Sequence, residues 1–576
     1  MKRKPDQAAF QRRFRGRMLL AALLFAGLGV TLAARAVNLQ FVDQAFFASE
    51  GDARQMRAVE IVAHRGSIMD RRGEPLAVSS PVDSVWVNPR ELRNSPADIP
   101  RLAAAVGRDP EWLMRAVSSQ PNREFLYLRR HLSPADAQAV MRLGIPGVHL
   151  QREYRRFYPA GEVIGHVLGF TNIDDAGQEG LELAYDHWLA GENGRKRIRR
   201  DRLGNTIEDV ESIRDARPGR DLRLSIDLRI QYLAYRELKR TIQSHGAQSG
   251  SIVILDVRSG EVLAMVNQPS FNPNDRSQLD AARYRNRATN DIFEPGSAIK
   301  PLIVAAALSS GKFDTSSTID TAPGWFTVGA KTIEDRNNLG TIDLTTLLTR
   351  SSNVGASKLA LALDPEHLWG ELRRFGLGEV SATGFPGESA GVLMEPDLWR
   401  SIGQATLAYG YGLSVTPLQL AHAYAILGAG GRATPVSLLA LDRPAPSRQV
   451  LDEAAAIAVL RMMEPVASVR GTAPKAAITG YRVAGKTGTA RKFMAGGYHA
   501  DRYLSVFAGV APASDPRLAT VVMIDEPSAG VFYGGEVAGP LFSRVVGDSL
   551  RILGIAPDDG EDAPSVGTLV QAMGRP

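Results

Sequence analysis

A serine and a lysine stand three positions apart in the stretch EPGSAIKP. On a helix this spacing places Ser297 and Lys300 on one face, one turn apart. A neutral Lys300 could therefore take the proton of Ser297 and make the serine a nucleophile. The Pro-Gly before the serine and the proline after the lysine predict that Ser297 lies at a helix N-terminus, where the helix dipole favours negative charge on its oxygen.

The spacing alone is weak evidence, because Ser309 and Lys312 repeat it. Gly311 marks the end of a helix there, and the C-terminal end of a helix keeps a lysine charged and unable to act as a base. The sequence therefore predicts that Ser297 is the nucleophile and Lys300 its general base.

A second candidate motif is the stretch SSNVGAS, in which Ser351 and Asn353 could reach the same cleft from a turn ahead of a helix. Most serine–asparagine pairs of this kind only cap a helix or form a turn. Ser270 and Asn272 have the same spacing within a proline-rich loop. The motif gains weight only in combination with others.

The third motif is GKTGTARK, which contains Lys486, Thr487, Gly488 and Thr489. Glycines beside the lysine and threonine predict a strand edge that another backbone approaches closely. The spelling also matches a phosphate-binding loop that begins at Gly480. That alternative is disfavoured because a basic, extended run follows the motif instead of a long apolar helix.

Strands and helices must bring these motifs together. Two pairs of β-rich runs, far apart in the chain, enclose three helical stretches. The β-rich runs are 251–257, 261–266, 503–512 and 518–527, and the helical stretches are 298–309, 341–363 and 415–428. This order predicts an α+β domain, in which one antiparallel sheet of sequence-remote strands packs against helices.

Composition excludes several other classes of protein. The 576 residues are 44% hydrophobic and 23% charged, as in globular proteins, and they contain no cysteine and nine scattered histidines. Disulfides, thiolate-bound metals and a metal or other cofactor are therefore not expected. The net charge of +6 comes largely from residues 1–17, with a second basic run at 195–202. Nucleic-acid binding is not predicted.

An uncharged stretch of seventeen residues follows the basic head, from Met18 to Ala34. This length is at the lower limit for a membrane-spanning helix. The preceding positive charges place the N-terminus in the cytoplasm and the rest of the chain outside. A cleaved signal peptide is the alternative, since Ala34-Arg35-Ala36 fits the small-x-small rule for cleavage.

The chain is accordingly predicted to have five parts. These are a cytoplasmic head (1–17), a transmembrane anchor (18–40), a module without a chemical constellation (41–220), a catalytic domain (221–555) and an acidic, Gly/Pro-rich disordered tail (556–576).

Taken in order, the three motifs form the triple of the penicillin-binding proteins and serine β-lactamases. Further stretches, RGSIMDRRGEPLA, GQEGLELAYD and NQPSFNPND, extend the resemblance over roughly residues 55 to 545. The chain is similar to the class B penicillin-binding proteins, and SSNVGASKLAL makes it most like the division-specific, septal members. The resemblance implies a transpeptidase domain (221–555) carried on an extended, non-catalytic pedestal or dimerisation-type domain (41–220).

The resemblance also implies the reaction and the roles of the catalytic residues. Ser297 would attack stem peptides ending in D-Ala-D-Ala, with Lys300 as base, its pKa lowered by the helix N-terminus and by Lys486 as a nearby cation. Ser351 would relay a proton to the leaving amine, Asn353 would hold the substrate amide, and Lys486 would face the substrate carboxylate.

The same resemblance implies a set of residues that bind the substrate. The backbone N–H groups of Ser297 and Thr489 would form an oxyanion hole. Thr487, Thr489 and Arg491 would bind the terminal carboxylate. The remaining expected binding residues are Gly488 and an aromatic wall of Tyr503, Phe532 and Tyr533. The order Phe-Tyr in VFYGG is the reverse of the family pattern.

The partners implied are β-lactam antibiotics, a membrane glycan polymerase and other proteins of the division machinery, at the bacterial inner membrane with most of the chain in the periplasm. An elongation-specific relative with the same chemistry is the nearest alternative. A class A β-lactamase shares the triple but is less than half as long. A non-catalytic β-lactam sensor or scaffold would keep the fold with a degraded triple.

Overall fold

The computed structural model describes residues 7–44, 46, 56–119, 123–200, 206–275, 277, 280–494 and 497–559. The described chain divides into two compact units, each made of separate segments. The first contains the residues up to Ala63 together with Val82–Glu153 and Glu192–Arg217, and the second contains His64–Pro81, Tyr154–Gly191 and the chain from Pro218 onward. The predicted domain boundaries at 40, 220 and 555 stay predictions.

The first unit begins with a long helix, Gln7–Val37, continued by a π-helical turn, Asn38–Val42. Residues Gln11–Val42 are long and apolar enough to cross a membrane. The unit also contains an antiparallel sheet with the strand order Met56–Ile61, Gly194–Arg200, Thr206–Arg214.

A small hydrophobic core, which includes Leu92, Leu102, Leu113 and Leu128, forms the remainder of the first unit. Within this unit, residues 83–87 pair with the strand Leu126–Leu132. The other elements of this part are residues 82–87 of the strand Pro75–Val87, residues 148–153 of the strand Val148–Phe157, and the helices Pro89–Leu92, Ile99–Val106, Pro110–Ser119 and Pro134–Met141.

A buried cluster of charges joins the N-terminal segments of the second unit. The Glu182 carboxylate accepts from Arg65 and from Arg156, each at 2.7 Å, and all three side chains are at most 1% exposed. Buried ions need such partners, because an unpaired one costs several kcal/mol. The local elements are the strands Ile68–Met69 and Leu222–Arg223 and the helices Gly165–Leu168, Gly180–Ala184 and Asp186–Leu189.

The centre of the second unit is a five-stranded antiparallel sheet with the order β2-β1-β5-β4-β3. Its strands are β1 (Ser249–Asp256), β2 (Val262–Gln268), β3 (Ala484–Met494), β4 (Gly497–Ala511) and β5 (Leu518–Asp525). The pairing of β1 with β5, in which Val253 lies opposite Val521, joins two hairpins that are far apart in sequence. Each predicted pair of β-rich runs forms an antiparallel hairpin, and the predicted α+β sheet is confirmed.

Helices cover the sheet and build the site. The main helices are α1 (Leu228–His245), α2 (Lys300–Ser309), α3 (Leu344–Arg350), α4 (Asn353–Leu361), α5 (Pro417–Gly428) and α6 (Gly534–Ile552). Every residue of α2 from Lys300 to Ala307 is buried, as expected for a helix that is apolar on all sides.

Shorter elements complete the second unit. They are the helices Ala281–Tyr284, Arg287–Asn290, Pro365–Arg374, Ser401–Leu407 and Glu453–Met463, and the paired strands Thr318–Asp320 with Thr341–Asp343, Trp325–Val328 with Lys331–Glu334, and Arg432–Ala433 with Arg448–Gln449.

The structure bears on two further predictions, the helical stretch 341–363 and the tail 556–576. The helical stretch 341–363 is wrong as one element, because a strand comes first and two helices follow it, separated at Ser351, whose φ is +60°. Of the predicted disordered tail, residues 560–576 lie outside the described residues. Within the described part of the tail, the Asp558 carboxylate accepts from the backbone N–H of Arg482 at 2.7 Å and of Ser514 at 3.1 Å.

Candidate active site

Ser297 lies in a 3₁₀ turn, Gly296–Ile299, that leads directly into α2. Gly296 has a φ of +54°, and a Cβ at this position would lie 3.3 Å from the backbone N of Thr489. Glycine is therefore needed both for the backbone conformation and for the close approach of β3. The predicted position of Ser297 at a helix N-terminus is confirmed, and its side chain is half-buried.

The buried side chain of Tyr424 on α5 supports this turn from behind. Its hydroxyl donates to the carbonyl oxygen of Ala298 at 2.8 Å, and the tyrosine is 0% exposed. Ala298 lies between the serine and the lysine of the first motif, so the hydrogen bond fixes the turn that separates them.

Lys300 is fully buried and reaches the second motif. Its Nζ donates to the Ser351 carbonyl at 2.7 Å, to Ser351 Oγ at 3.2 Å and to Asn353 Oδ1 at 2.8 Å. A charged amine can donate to all three acceptors, whereas a neutral one has two N–H groups and a lone pair. The neutral form therefore keeps two of these bonds and has a lone pair that can accept a proton.

The turn between α3 and α4 presents Ser351 to the two lysines because its backbone is capped on both sides. Ser351 takes the left-handed conformation at the end of α3, and the Ser352 hydroxyl accepts from Gly355 N–H at 2.8 Å. The Asp335 carboxylate accepts from Ser352 Oγ and from the backbone N–H groups of Asn353 and Val354. A carboxylate at a helix N-terminus also complements the helix dipole.

The third motif lies on β3, at the edge of the sheet, as predicted. A Cβ at position 488 would lie only 2.4 Å from the carbonyl oxygen of Pro295, so Gly488 lets the strand approach the serine turn. Lys486 Nζ donates to Ser351 Oγ at 3.0 Å and to Thr487 Oγ1 at 3.2 Å. The position of Lys486 within a strand rules out the phosphate-binding loop.

Burial lowers the pKa of both lysines. Lys300 and Lys486 are each 0% exposed. The pKa of Lys300 is well below its usual value, first because of burial and then because of repulsion by Lys486, and Asp335 partly opposes this shift. Burial lowers the pKa of Lys486 to about 7. Two ammonium groups that both lie within hydrogen-bond distance of one serine oxygen repel each other in a low-dielectric site, and this repulsion favours the neutral form of one lysine.

A cavity of about 780 Å³ opens in front of these groups. Its lining includes most of the residues predicted to catalyse or to bind substrate, whereas Lys300, Lys486 and Gly488 are buried. The predicted residues in the lining are Ser297, Ser351, Asn353, Thr487, Thr489, Arg491, Tyr503, Phe532 and Tyr533.

Three aromatic residues of the lining, Tyr503, Phe532 and Tyr533, pack ring against ring. Tyr503 and Phe532 lie parallel with ring centroids 4.0 Å apart, and the centroids of Phe532 and Tyr533 are 4.5 Å apart. The guanidinium of Arg336 lies 4.5 Å from the centroid of the Tyr533 ring. Phe532 and Tyr533 both line the cavity despite the reversed Phe-Tyr order. Tyr533 is the more exposed of the two, at 44%.

The residues that repeat the motif spacings have other partners. Ser309 Oγ is bonded to the Ala306 carbonyl, and Lys312 Nζ donates to the Ala362 carbonyl at 3.0 Å. Ser270 Oγ donates to Glu162 at 2.7 Å. These contacts are structural, and none of these residues belongs to the cavity lining described above.

Several residues of the site carried no signal in the sequence. Asp335, Arg336, Arg350, Arg470 and Thr472 line the cavity but belong to no recognisable motif. Arg350 is the last residue of α3, and the other four stand in short polar stretches typical of loops, so only the folded chain reveals their position. The hydrogen bond between Thr472 Oγ1 and Thr487 Oγ1, at 2.9 Å, joins one of these loops to β3.

Comparison with known proteins gives consistent results. Residues 250–547 match the family model described as "Penicillin binding protein transpeptidase domain", and residues 60–224 match "Penicillin-binding Protein dimerisation domain". The chain is 42% identical over 550 residues to "Probable peptidoglycan D,D-transpeptidase PbpC" of Pseudomonas aeruginosa, which covers 96% of this chain and 97% of the relative. It is 43% identical over 545 residues to "Peptidoglycan D,D-transpeptidase FtsI" of Escherichia coli, an alignment that covers 94% of this chain and 91% of the relative. A solved "peptidoglycan synthetase" of Bifidobacterium adolescentis superimposes with a TM-score of 0.71 at 25% identity, which covers 88% of this chain and 99% of that one.

Proposed function

Since the chain belongs to the class B penicillin-binding proteins, we propose that it crosslinks cell-wall stem peptides during septum formation and that Ser297 forms the acyl-enzyme. Membership of the family makes it a peptidoglycan D,D-transpeptidase. The observation that carries the assignment of residues is the shared contact of Lys300 Nζ and Lys486 Nζ with Ser351 Oγ, at 3.2 and 3.0 Å.

In the first half-reaction, Ser297 Oγ attacks the carbonyl carbon of the penultimate D-Ala. Its proton passes to the neutral amine of Lys300, and the backbone N–H groups of Ser297 and Thr489 stabilise the oxyanion. The C–N bond to the terminal D-Ala then breaks. The leaving amine takes a proton from Ser351, which regains one from the adjacent lysines, and an ester on Ser297 remains.

In the second half-reaction, an amine of another stem peptide attacks this ester. The amine gives up a proton to the lysine–serine group, the C–O bond to Ser297 breaks, and the serine oxygen is reprotonated as the new amide leaves. Thr487, Thr489 and Arg491 bind the carboxylate of the donor's terminal D-Ala in the first step. Asn353 holds the donor amide, and Tyr503, Phe532 and Tyr533 flank the peptide.

Mass spectrometry of the full chain after penicillin treatment tests the nucleophile. We expect a stable adduct on Ser297 that is absent from Ser297→Ala. Ser309→Ala, at the serine with the same spacing to a lysine, is the matched control and should retain the adduct. An adduct on Ser309, or no adduct on folded protein, would contradict the assignment.

The proposed location is the bacterial inner membrane, spanned once by the N-terminal helix, with most of the chain in the periplasm. The apolar stretch Gln11–Val42 supports an anchor. N-terminal sequencing of the membrane-extracted protein should begin at or near Met1. A start at Val37 would show that the helix is a cleaved signal peptide.

The proposed partners are a membrane glycan polymerase and other division proteins, contacted through residues 41–220. Surface substitutions in that region should leave β-lactam acylation intact and impair growth. Loss of acylation in folded variants would contradict a role of this region in partner contacts alone. A fluorescently tagged copy should gather at midcell, whereas labelling along the side wall would indicate an elongation role.

A further inference from the structure

Four guanidinium groups line the active-site cavity: Arg336, Arg350, Arg470 and Arg491. Arg491 has a place in the proposed function as a ligand of the donor carboxylate. The other three come from three separate parts of the chain. Arg336 follows Asp335 in the loop after a short hairpin, Arg350 ends α3 directly before Ser351, and Arg470 lies in the loop that bonds β3 through Thr472.

The cavity does not neutralise these charges itself. Its lining contains two carboxylates, and both have other partners. Asp335 accepts from Ser352 and from the N-terminal N–H groups of α4, and Glu536 is paired with Lys475. Within the described part of the chain, no ion pair is found for Arg336, Arg350 or Arg470. The cavity therefore has a surplus of positive charge that attracts anions.

We propose that Arg336, Arg350 and Arg470 form an acceptor subsite that selects a net anionic peptide amine for the second half-reaction. This inference rests on the proposed function of Ser297. An acceptor amine is itself a cation before it reacts, so a cavity of this charge repels a simple amine. Only an amine carried on a molecule with at least two carboxylates is drawn toward the ester on Ser297.

The acyl-enzyme also needs such a subsite for a kinetic reason. Water also attacks the ester on Ser297. Transfer to an acceptor exceeds hydrolysis only if binding raises the local concentration of the acceptor and orients its amine. The donor carboxylate departs with the terminal D-Ala before the acceptor reacts. The guanidinium groups on the loops that carry Asp335 and Thr472, and at the end of α3, then remain available to the acceptor.

The test measures how the acyl-enzyme partitions between water and two matched acceptors. The full-length protein is acylated with a thioester donor, and thiol release reports acylation. N-acetyl-glutamyl-lysine supplies an amine with two carboxylates, and N-acetyl-glutaminyl-lysinamide supplies the same amine with none. Mass spectrometry gives the ratio of transfer to hydrolysis for each, a ratio that does not depend on the acylation rate.

We expect the wild-type enzyme to prefer the dicarboxylate acceptor. Replacement of each arginine by glutamine should reduce this preference roughly two- to fivefold, and the combined variant Arg336→Gln/Arg350→Gln/Arg470→Gln should abolish it. The preference should also fall between 0.1 and 1 M NaCl, as the screening length shortens from about 10 to about 3 Å. The control Arg448→Gln removes an exposed arginine of the strand Arg448–Gln449 and should keep the wild-type ratio.

Three results would overturn the subsite. They are equal transfer to both acceptors in the wild-type enzyme, an unchanged preference in the triple variant, and a triple variant in which slower acylation accounts for the whole loss of product. The last result would mean that the arginines bind the donor. The absence of thiol release from the wild-type enzyme would instead refute the proposed function, so the two failures are distinguishable.

Discussion

The pH dependence of acylation should report the charge of Lys486. Burial lowers the pKa of this lysine to about 7, and its Nζ donates to Ser351 Oγ at 3.0 Å. As a cation, Lys486 lowers the pKa of Lys300 by charge repulsion. The lower pKa favours neutral Lys300, the form that can accept the Ser297 proton. Raising the pH through 7 discharges Lys486 and removes the positive charge that is expected to face the substrate carboxylate, whereas a rising pH does not protonate Lys300.

The size of the effect follows from the pKa of about 7. About 90% of Lys486 is charged at pH 6 and about 3% at pH 8.5. If the cation is required, the second-order rate of acylation by penicillin should fall about 30-fold between these values. The pair of lysines titrates together, so the midpoint belongs to the pair.

Lys486→Arg separates charge from other effects of pH, because a guanidinium does not lose its proton in this range. Arginine is larger than the buried lysine, so the absolute rate should drop through overpacking. The shape of the pH profile is the informative quantity. Above pH 7 the profile of Lys486→Arg should be nearly flat, while the wild-type rate and that of the control Lys312→Arg should decline.

A parallel decline of the acylation rates of wild type and Lys486→Arg above pH 7 would refute the requirement for a charged Lys486. A wild-type rate that rises through pH 7 would also refute it, because the neutral form of Lys486 would then be the active one. In both cases the cation would have to be sought outside the pair of lysines at Ser351.

Three further predictions concern the groups around the nucleophile. Lys300→Arg should lower the acylation rate roughly 10²–10⁴-fold, the usual contribution of a general base, and a variant rate near wild type would exclude Lys300 as that base. Asp335 raises the pKa of Lys300, so Asp335→Asn should lower that pKa further and move the acid limb of the acylation profile to lower pH; a shift to higher pH would contradict the electrostatic reasoning. Tyr424→Phe should leave the Ala298 carbonyl without its buried donor and cost about 1–3 kcal/mol in stability by denaturant titration, whereas an unchanged midpoint would show that the turn is held by other contacts.

Several elements of the fold and of the site could be predicted from the sequence because the patterns that specify them are local. Proline and glycine around Ser297 specify a turn at a helix N-terminus, and the structure has that turn. The β-rich runs at both ends of the catalytic region predict two pairs of strands, and both pairs form. The glycines beside Lys486 specify a strand that another backbone approaches, and the serine turn makes that approach.

The arrangement of the site, in contrast, was decided by tertiary contacts. The stretch 341–363 was predicted as one helical element, although the second motif indicates a turn at Ser351. The Asp335 carboxylate that stabilises the helix after this turn stands 18 residues from Asn353, beyond the reach of a local pattern. The contact of Lys486 Nζ with Ser351 Oγ joins β3 to a turn 135 residues away in the chain, and the role of Lys486 toward a substrate carboxylate stays a prediction. Arg336, Arg350 and Arg470 share a cavity only after three separate segments have packed. Distances between such segments depend on the packing of the whole core, which no local pattern encodes.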